Sequence, residues 1–459
     1  RKLFCPSYSY ALSRDPFSEE PVHYLSVGLN SGLRDFQRKK LNLVVVLDYS
    51  GSMGSSFSQY YYDRFGNRVD LLDSDVSEKT KMQIADQSVV ALLDHLERDD
   101  RFGLVIFSDD AFLVDPLTRM GDKNQGRLKD RILLIEEYGG TNLEAGMMRG
   151  TGLLNRYAGS DPDVFENRMI VLTDAMPNLG ETGMGGLSRM LEDNAARGIY
   201  TTFIGIGVDF NTELVENMTK IRGANYYSVN SAREFQERMD DEFEYMVTPL
   251  VFDLKLGLEA PGYQIDRVYG SPEADLATGT LMQVNTLFPS PVEEGQVRGG
   301  VILVKLRQVS GEGEQGRMRL AVSYQDRSGV TDGDVAEVEV PAVMPDYYQN
   351  TGIRKAVLLT RYADLLKDWM IDERTAQYRG RPVVAMVTME SGIILPVELG
   401  QWERQSMALQ VSQPYRELFR AFEAYFQKEA GAIGDESLQR EEAILQKLSQ
   451  PIQRPEGEE

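Results

Sequence analysis

One stretch constrains the fold more than any other: Asn42-Leu-Val-Val-Val-Leu-Asp48-Tyr-Ser50-Gly-Ser52-Met53. Its unbroken aliphatic run, closed by a Gly turn, predicts a strand buried on both faces, as strands in parallel sheets are. Parallel strands require crossover connections, which helices usually supply. Polar side chains just past the carboxyl end of such a strand stand where open α/β sheets bind ligands. Asp48, Ser50 and Ser52 put three hard oxygens into one turn, a donor set suited to Mg²⁺, Ca²⁺ or Mn²⁺. The same residue types are also ordinary turn and N-cap residues, so the triplet alone leaves both readings open.

The chain around this stretch has the alternation the strand calls for. Between 41 and 248, strand-like runs at 42–48, 101–107, 111–114, 168–173, 199–206 and 225–229 alternate with helical periodicity over 78–97, 124–136, 142–157, 183–197, 211–222 and 231–247. This predicts a doubly wound, mostly parallel sheet covered by helices on both faces. The short link between 107 and 111 predicts one antiparallel edge hairpin. Ser77-Glu-Lys-Thr80 and Thr141-Asn-Leu-Glu144 read as helix starts, the latter as a capping box. An insertion over 55–76 carries Tyr60, Tyr61 and Tyr62 and a hairpin tip at Gly66-Asn67. Those aromatics read either as a contact surface beside the motif or as a loop packing on itself. Asp70, Asp73 and Asp75 lack the Gly and terminal Glu of an EF-hand loop.

After 248 the period changes to two. Runs at 249–258, 263–269, 281–287, 300–307, 317–324 and 335–340, separated by Gly, Pro and Asp turns, predict an antiparallel β-sandwich over 249–345. The alternating run Val22–Leu29 is a plausible further member, which would make the helical region an insertion into the sandwich. Residues 1–20 read as an extended aromatic arm, with Pro6 and Pro16 interrupting regular structure, so 1–40 comprises an arm and one strand. The remainder, 346–459, is mainly helical, with helices at 347–370, 412–430 and 436–449 and a short strand pair within 382–398. Four segments thus follow from pattern alone: 1–40, an α/β domain at 41–248, the sandwich at 249–345 and the helices at 346–459. A length of 459 residues agrees with two or three domains.

Composition removes several functions. With 49 Lys+Arg against 71 Asp+Glu the formal charge is −22, which disfavours nucleic acid or an anionic membrane as the main partner. The single cysteine, Cys5, excludes an internal disulfide and any zinc or iron–sulfur knuckle. His23 and His95, the two histidines, lie away from every motif and read as structural. No apolar run approaches the roughly 20 residues that span a bilayer. The chain begins at Arg1 with neither Met nor a signal-peptide pattern, which fits a removed leader or none.

Three loops carry chemistry: Asp48-Tyr-Ser50-Gly-Ser52, Gly139-Gly-Thr141-Asn142-Leu143, and Leu172-Thr-Asp174-Ala-Met176-Pro. In a doubly wound sheet the first and third meet where the strand order reverses, with the second beside them. In this order and fold, Asp-x-Ser-x-Ser, a Thr and an Asp resemble the metal-ion-dependent adhesion site of the von Willebrand factor type A domain, over roughly 41–248. The resemblance implies that Ser50, Ser52 and Thr141 hold a divalent cation through hydroxyls, with Asp48 and Asp174 direct or through water. Mg²⁺ is the expected ion, with Ca²⁺ or Mn²⁺ as alternatives. Few direct carboxylates leave the ion under-neutralised, so an Asp or Glu of a protein partner can complete its shell. Ala175 stands where the family often has Gly. Ser55 and Ser56 stand where a second metal would need acids, so one metal is expected. The arrangement of such a domain followed by a β-sandwich and helices resembles that of bacterial calcium-activated chloride-channel homologues and, more loosely, of inter-α-trypsin-inhibitor heavy chains, the latter through domain order and Thr173-Asp-Ala-Met-Pro-Asn178. The channel name implies no channel here. Integrin relatives imply that the 231–247 helix shifts when the metal gains its acidic ligand.

Binding rather than catalysis is the function these features predict. His-Glu-x-x-His, Gly-x-Ser-x-Gly and P-loop patterns are missing, and no general base stands out beyond the ligands. Tyr49, Met53, Tyr60, Tyr61, Tyr62, Asn142 and Met176 are expected at the partner contact. The partner is expected to be a protein presenting Asp or Glu, or another copy of the chain in a surface scaffold. An extracytoplasmic setting (secreted, periplasmic or cell-surface) is expected. A metal-dependent hydrolase and an intracellular partner of an AAA+ ATPase are the weaker alternatives.

Overall fold

The computed structural model describes residues 2–31, 38–56, 60–62, 68–70, 79–174, 184–207, 220–229, 231–271, 273–289, 292–293, 296–297, 301–309, 317–377, 384–388, 394–398 and 409–450. The chain opens with strands β1 (Phe4–Arg14) and β2 (Pro21–Ser31), which pair antiparallel along their length. The residues expected to form an extended arm without regular structure are therefore mostly strand. Pro6 does not break β1, because on its other flank β1 pairs only at Ala11 and Leu12, leaving Pro6 on an open edge where strand proline is tolerated.

The α/β unit follows: β3 (Lys40–Asp48), a small hairpin β4 (Tyr60–Tyr62) and β5 (Arg68–Asp70), helix α1 (Lys81–Asp94), β6 (Arg101–Phe107), β7 (Ala111–Arg119), α2 (Gln125–Ile132), α3 (Leu143–Leu154), β8 (Phe165–Thr173), α4 (Met184–Ala196), β9 (Ile199–Ile206) and β10 (Asn225–Val229). Its six strands run in the order β10-β9-β8-β3-β6-β7, parallel except for the β6–β7 hairpin at one edge. β3 lies near the centre, and its aliphatic run feeds two cores. Leu41, Leu43, Val45 and Leu47 face α1, α2 and the end of the unit, whereas Val44 and Val46 face α3 and α4. The period of two in a strand covered on both sides accounts for a run in which every residue is apolar. Asp48, which ends that run, emerges at the switch between β8 and β6.

The expected helix over 231–247 is two short helices, Ala232–Met239 and Phe243–Val247, with the break at Asp240. The buried residues Phe235, Met239, Phe243, Met246 and Val247 join the core against α1, and packing both apolar patches onto one surface turns the chain at the break. His95, at the end of α1, contacts Asp240 there. The helix expected over 211–222 falls largely outside the described residues.

The chain then returns to the strands it left. β11 (Val251–Glu259), β12 (Tyr263–Tyr269), β13 (Thr280–Leu287), β16 (Ile302–Gln308), β17 (Met318–Gln325), β18 (Thr331–Val338) and β19 (Tyr347–Tyr348) complete two antiparallel sheets, while β14 (Val292–Glu293) and β15 (Gln296–Val297) pair only with each other. Their orders are β12-β16-β2-β1-β19 and β13-β11-β17-β18. One core lies between them, drawn from Phe4, Tyr10, Leu25 and Val27 on one side and Leu254, Leu256, Leu320 and Val322 on the other. The strict alternation of burial along β17 is that of a sheet wet on one face. Because β1 and β2 precede the α/β unit and pair within this sandwich, the α/β unit is an insertion between β2 and β11.

Helix Thr351–Gln377 lays Ile353 and Val357 on Ala11, Tyr24 and Leu303 on the outer face of the sandwich. Farther along, Leu358, Tyr362, Leu365 and Trp369 pack with helices Gln413–Ile433 and Gln439–Ser449. The buried apolar positions of these helices thus pack against one another within the chain. A hairpin of β20 (Val384–Thr388) and β21 (Ile394–Glu398) stands in the expected strand-pair segment. No described helix is long and apolar enough to cross a membrane.

Candidate functional site

The three loops converge at the carboxyl end of β3 and β8. The Ser50 and Ser52 hydroxyls lie 3.1 Å apart. Ser52 donates to Asp174 Oδ1 at 2.7 Å, which joins the loop after β3 to the end of β8. Asp48 is fully buried, and both its oxygens are already engaged: Oδ1 accepts the Ser50 N–H at 2.8 Å and Oδ2 accepts the Thr173 hydroxyl at 2.6 Å. Burial pushes the Asp48 carboxyl up from its ordinary range, the Ser50 and Thr173 hydrogen bonds pull it back, and the Asp174 charge pushes it up again. This arrangement orients Ser50 and Thr173 around a buried carboxylate, each oxygen of which accepts one hydrogen bond.

The second loop is stitched to the first by backbone. Gly51 N–H donates to Gly139 O at 3.0 Å and Tyr138 N–H to Tyr49 O at 2.7 Å. Gly139 adopts φ +84°, and a Cβ there would lie 2.7 Å from Asp109 Oδ2, so conformation and space both require glycine. The loop after β6 completes the stitching, with Gly140 N–H donating to Asp109 Oδ1 at 3.1 Å and Asn142 N–H to Ser108 O.

The expected capping box at Thr141 is not formed. Asn142 is the N-cap of α3, its Oδ1 accepting the Ala145 N–H at 3.1 Å. The reason is register: the helix begins one residue later, and the Asn142 carboxamide oxygen reaches N3 from there. The consequence is chemical, since Thr141 is left exposed and its hydroxyl has no hydrogen-bond partner among the described residues.

The other expected contact residues divide. Tyr49 is half-buried against the core of the α/β unit. Met53 is fully buried under α1, so it is a core residue and not a contact residue; an unbranched apolar side chain in a short 3₁₀ turn fills the gap between helix and sheet. Asn142 is exposed, but its amide is spent on the cap and on Asp109 O. Tyr60, Tyr61 and Tyr62 form the strand β4, and their side chains, like Met176, lie outside the described residues.

Two partners of the site escaped the sequence pattern. Thr173 precedes Asp174 directly, and its alternation in a buried strand gave no hint that its hydroxyl meets Asp48. Lys81 is separated from Ser52 by the insertion, yet a bridge between Ser56 and Thr80 and the Lys81 N–H to Ser55 O bond of 2.9 Å bring the chain back. Its Nζ lies 3.0 Å from Asp174 Oδ2.

The donor set suits a hard cation. Among the described residues no three His, Cys, Asp or Glu side chains cluster to hold a metal, so a cation here would be held by hydroxyls with at most two carboxylates. Ser50, Ser52, Thr141 and Asp174 can supply such oxygens, with the enclosed Asp48 acting through its neighbours.

Comparison with known proteins places this geometry in a family. Residues 43–176 match the von Willebrand factor type A domain. Inter-alpha-trypsin inhibitor heavy chain H1 of Mesocricetus auratus is 24% identical over 219 residues, covering 47% of this chain and 21% of that protein. Heavy chain H4 of Homo sapiens is 24% identical over 214 residues, covering 46% and 20%. The chain thus spans about a fifth of the length of these relatives. A solved structure, the von Willebrand factor type A protein from Catenulispora acidiphila, covers 81% of this chain and 82% of its own at 14% identity and a TM-score of 0.47. The segment that carries β3, α1, α3 and β8 is a von Willebrand factor type A domain.

Proposed function

We propose that the chain is a non-catalytic binding protein whose Ser50, Ser52, Thr141 and Asp174 oxygens hold one divalent cation, Mg²⁺ for preference. Through that cation it docks an acidic residue of a protein partner. Domains of this family commonly mediate protein–protein interaction. The observation that carries the reading is the chain of contacts from the Ser50 hydroxyl to Ser52 and from Ser52 to Asp174, with Thr141 exposed on the loop stitched to theirs and its hydroxyl without a hydrogen-bond partner among the described residues. When bound, the cation supplies an electrophilic coordination position for a partner carboxylate. The chain's own residues orient that position: Asp48 fixes Ser50, and Gly139 fixes the loop that bears Thr141.

The rim of the site refines the partner's chemistry. Asp109, Asp110, Glu136 and Glu137 are exposed on the two loops beside it. An acidic rim repels an acidic surface, so the docking carboxylate belongs to an otherwise basic or uncharged segment, and raised salt weakens its association.

Calorimetry tests the reading. Wild-type protein is expected to bind Mg²⁺, and Asp48→Ala is expected to lose at least about tenfold in affinity, as removing an orienting partner does. Equal affinity in the two proteins overturns it. Sedimentation in Mg²⁺ and in EDTA then separates a foreign partner from a second copy of the chain, since only the latter changes the mass of the pure protein.

A further inference from the structure

The Asp174 carboxylate is shared. One oxygen accepts from Ser52 at 2.7 Å; the other meets the Lys81 ammonium at 3.0 Å. Both side chains are withdrawn from water, Asp174 at 1% exposure and Lys81 at 16%, so solvent does little to screen the pair. The ammonium has little freedom to leave. A Cβ on Gly207, at the end of β9, would stand 3.1 Å from Lys81 Nζ, so the cation lies between the tip of β9 and the tip of β8. The Lys81 backbone is anchored to Ser55 at the exit of the motif.

We infer that Lys81 is a built-in counter-cation of the metal site. Without a divalent ion it neutralises Asp174 and keeps the hydroxyl cluster assembled; with one it stands as a like charge beside the bound cation and lowers its affinity. The inference rests on the metal reading above and adds its regulation. A carboxylate that must be shared between an ammonium and a divalent ion is released to the ion only at high ion activity, so Lys81 sets the concentration at which the site loads. A residue that merely positions Asp174 has the opposite consequence, since its removal weakens metal binding.

Two substitutions separate charge from position. Lys81→Met removes both charge and donor, while Lys81→Gln keeps an N–H donor near Asp174 and removes only charge. Calorimetric titration with Mg²⁺ is expected to give both variants about tenfold tighter binding than wild type, in line with the loss of one nearby like charge. Lys81→Arg is expected to match wild type. Thermal unfolding supplies the second readout: in EDTA, Lys81→Met melts below wild type because Asp174 is left without its cation, and Mg²⁺ raises its Tm by more than it raises that of wild type. Mg²⁺ affinity in the Gln variant that is equal to or weaker than wild type overturns the counter-cation role while leaving the metal site standing. Absence of Mg²⁺ binding in every protein, wild type included, overturns the metal reading and this inference with it.

Discussion

Asp86, in the second turn of α1, is 3% exposed, and its Oδ1 has no hydrogen-bond partner among the described residues. Burial, and then the charge of Glu137, push its carboxyl up to about 8. The sign follows from proton counting. Between the ordinary carboxylate range and pH 8 the folded chain holds a proton that the unfolded chain has released, so stability falls as pH rises through that window and levels off above it. Asp86→Asn has no charge to bury, and is expected to be more stable than wild type by roughly 5 kcal/mol at pH 9 and equal to it near pH 4, measured by urea unfolding. Residues of this kind are silent in a sequence. Asp48, Ser50 and Ser52 could be read because they lie in one turn after one strand. Thr173 and Lys81 could not, since an alternating strand position and an insertion conceal which groups they meet.

At the scale of elements, α3 shows how packing reverses a propensity. Gly146 and Gly150 face the sheet: a Cβ on Gly146 would lie 2.7 Å from the Phe107 ring, and one on Gly150 would lie 2.8 Å from both Met169 Sδ and Val46. Gly152, on the same helix, has nothing within 4 Å of its Cβ position. Gly152→Ala is therefore expected to stabilise the protein by about 0.5–1 kcal/mol through helix propensity alone. Gly146→Ala is expected to destabilise it by about 1–2 kcal/mol, because Phe107 is fully buried and has to move. Chemical denaturation of the two variants checks the opposite signs. Helical period located α3 in the sequence, but it could not distinguish Asn142 from Thr141 as the cap. Nor could it show that the 231–247 segment breaks at Asp240, where burial of both halves on one core outweighs helical continuity.

At the scale of the molecule, the α/β unit is fastened to the sandwich at the end opposite the candidate site. Arg168 in β8 is wholly buried; it donates to Glu166 at 2.7 Å and to Gly223 O at 2.8 Å. Arg327, from the turn between β17 and β18, reaches across to the other Glu166 oxygen and to Pro249 O at 3.1 Å. Gly223 N–H donates to the Thr286 hydroxyl of β13 at 2.6 Å, and Arg222 pairs with Asp253 of β11 at 2.7 Å. One carboxylate thus serves two guanidiniums, one from each unit. Glu166→Gln is expected to cost about 3 kcal/mol, because it leaves buried charge without its counter-ion. Lys40→Ala, at the exposed pair with Asp99, is expected to cost under about 1 kcal/mol. Calorimetric unfolding of the Glu166 variant also reports whether the units still melt together.

The sequence by itself determined the kinds of structure present and the order in which they come. Apolar periods of two, of three to four, and of an unbroken run each have one way to bury themselves, so strands, helices and the central strand β3 were readable locally, as were the hydroxyls and carboxylates clustered after it. Tertiary structure decided everything that depends on what a surface meets. It made a strand of the first residues by giving them β2 as a partner, and it placed Met53 in the core. It set Lys81 against Asp174 across an insertion, and it seated Glu166 between two arginines far apart in the chain. These outcomes are set by desolvation and close packing between remote segments, and a linear pattern holds no record of distance in space.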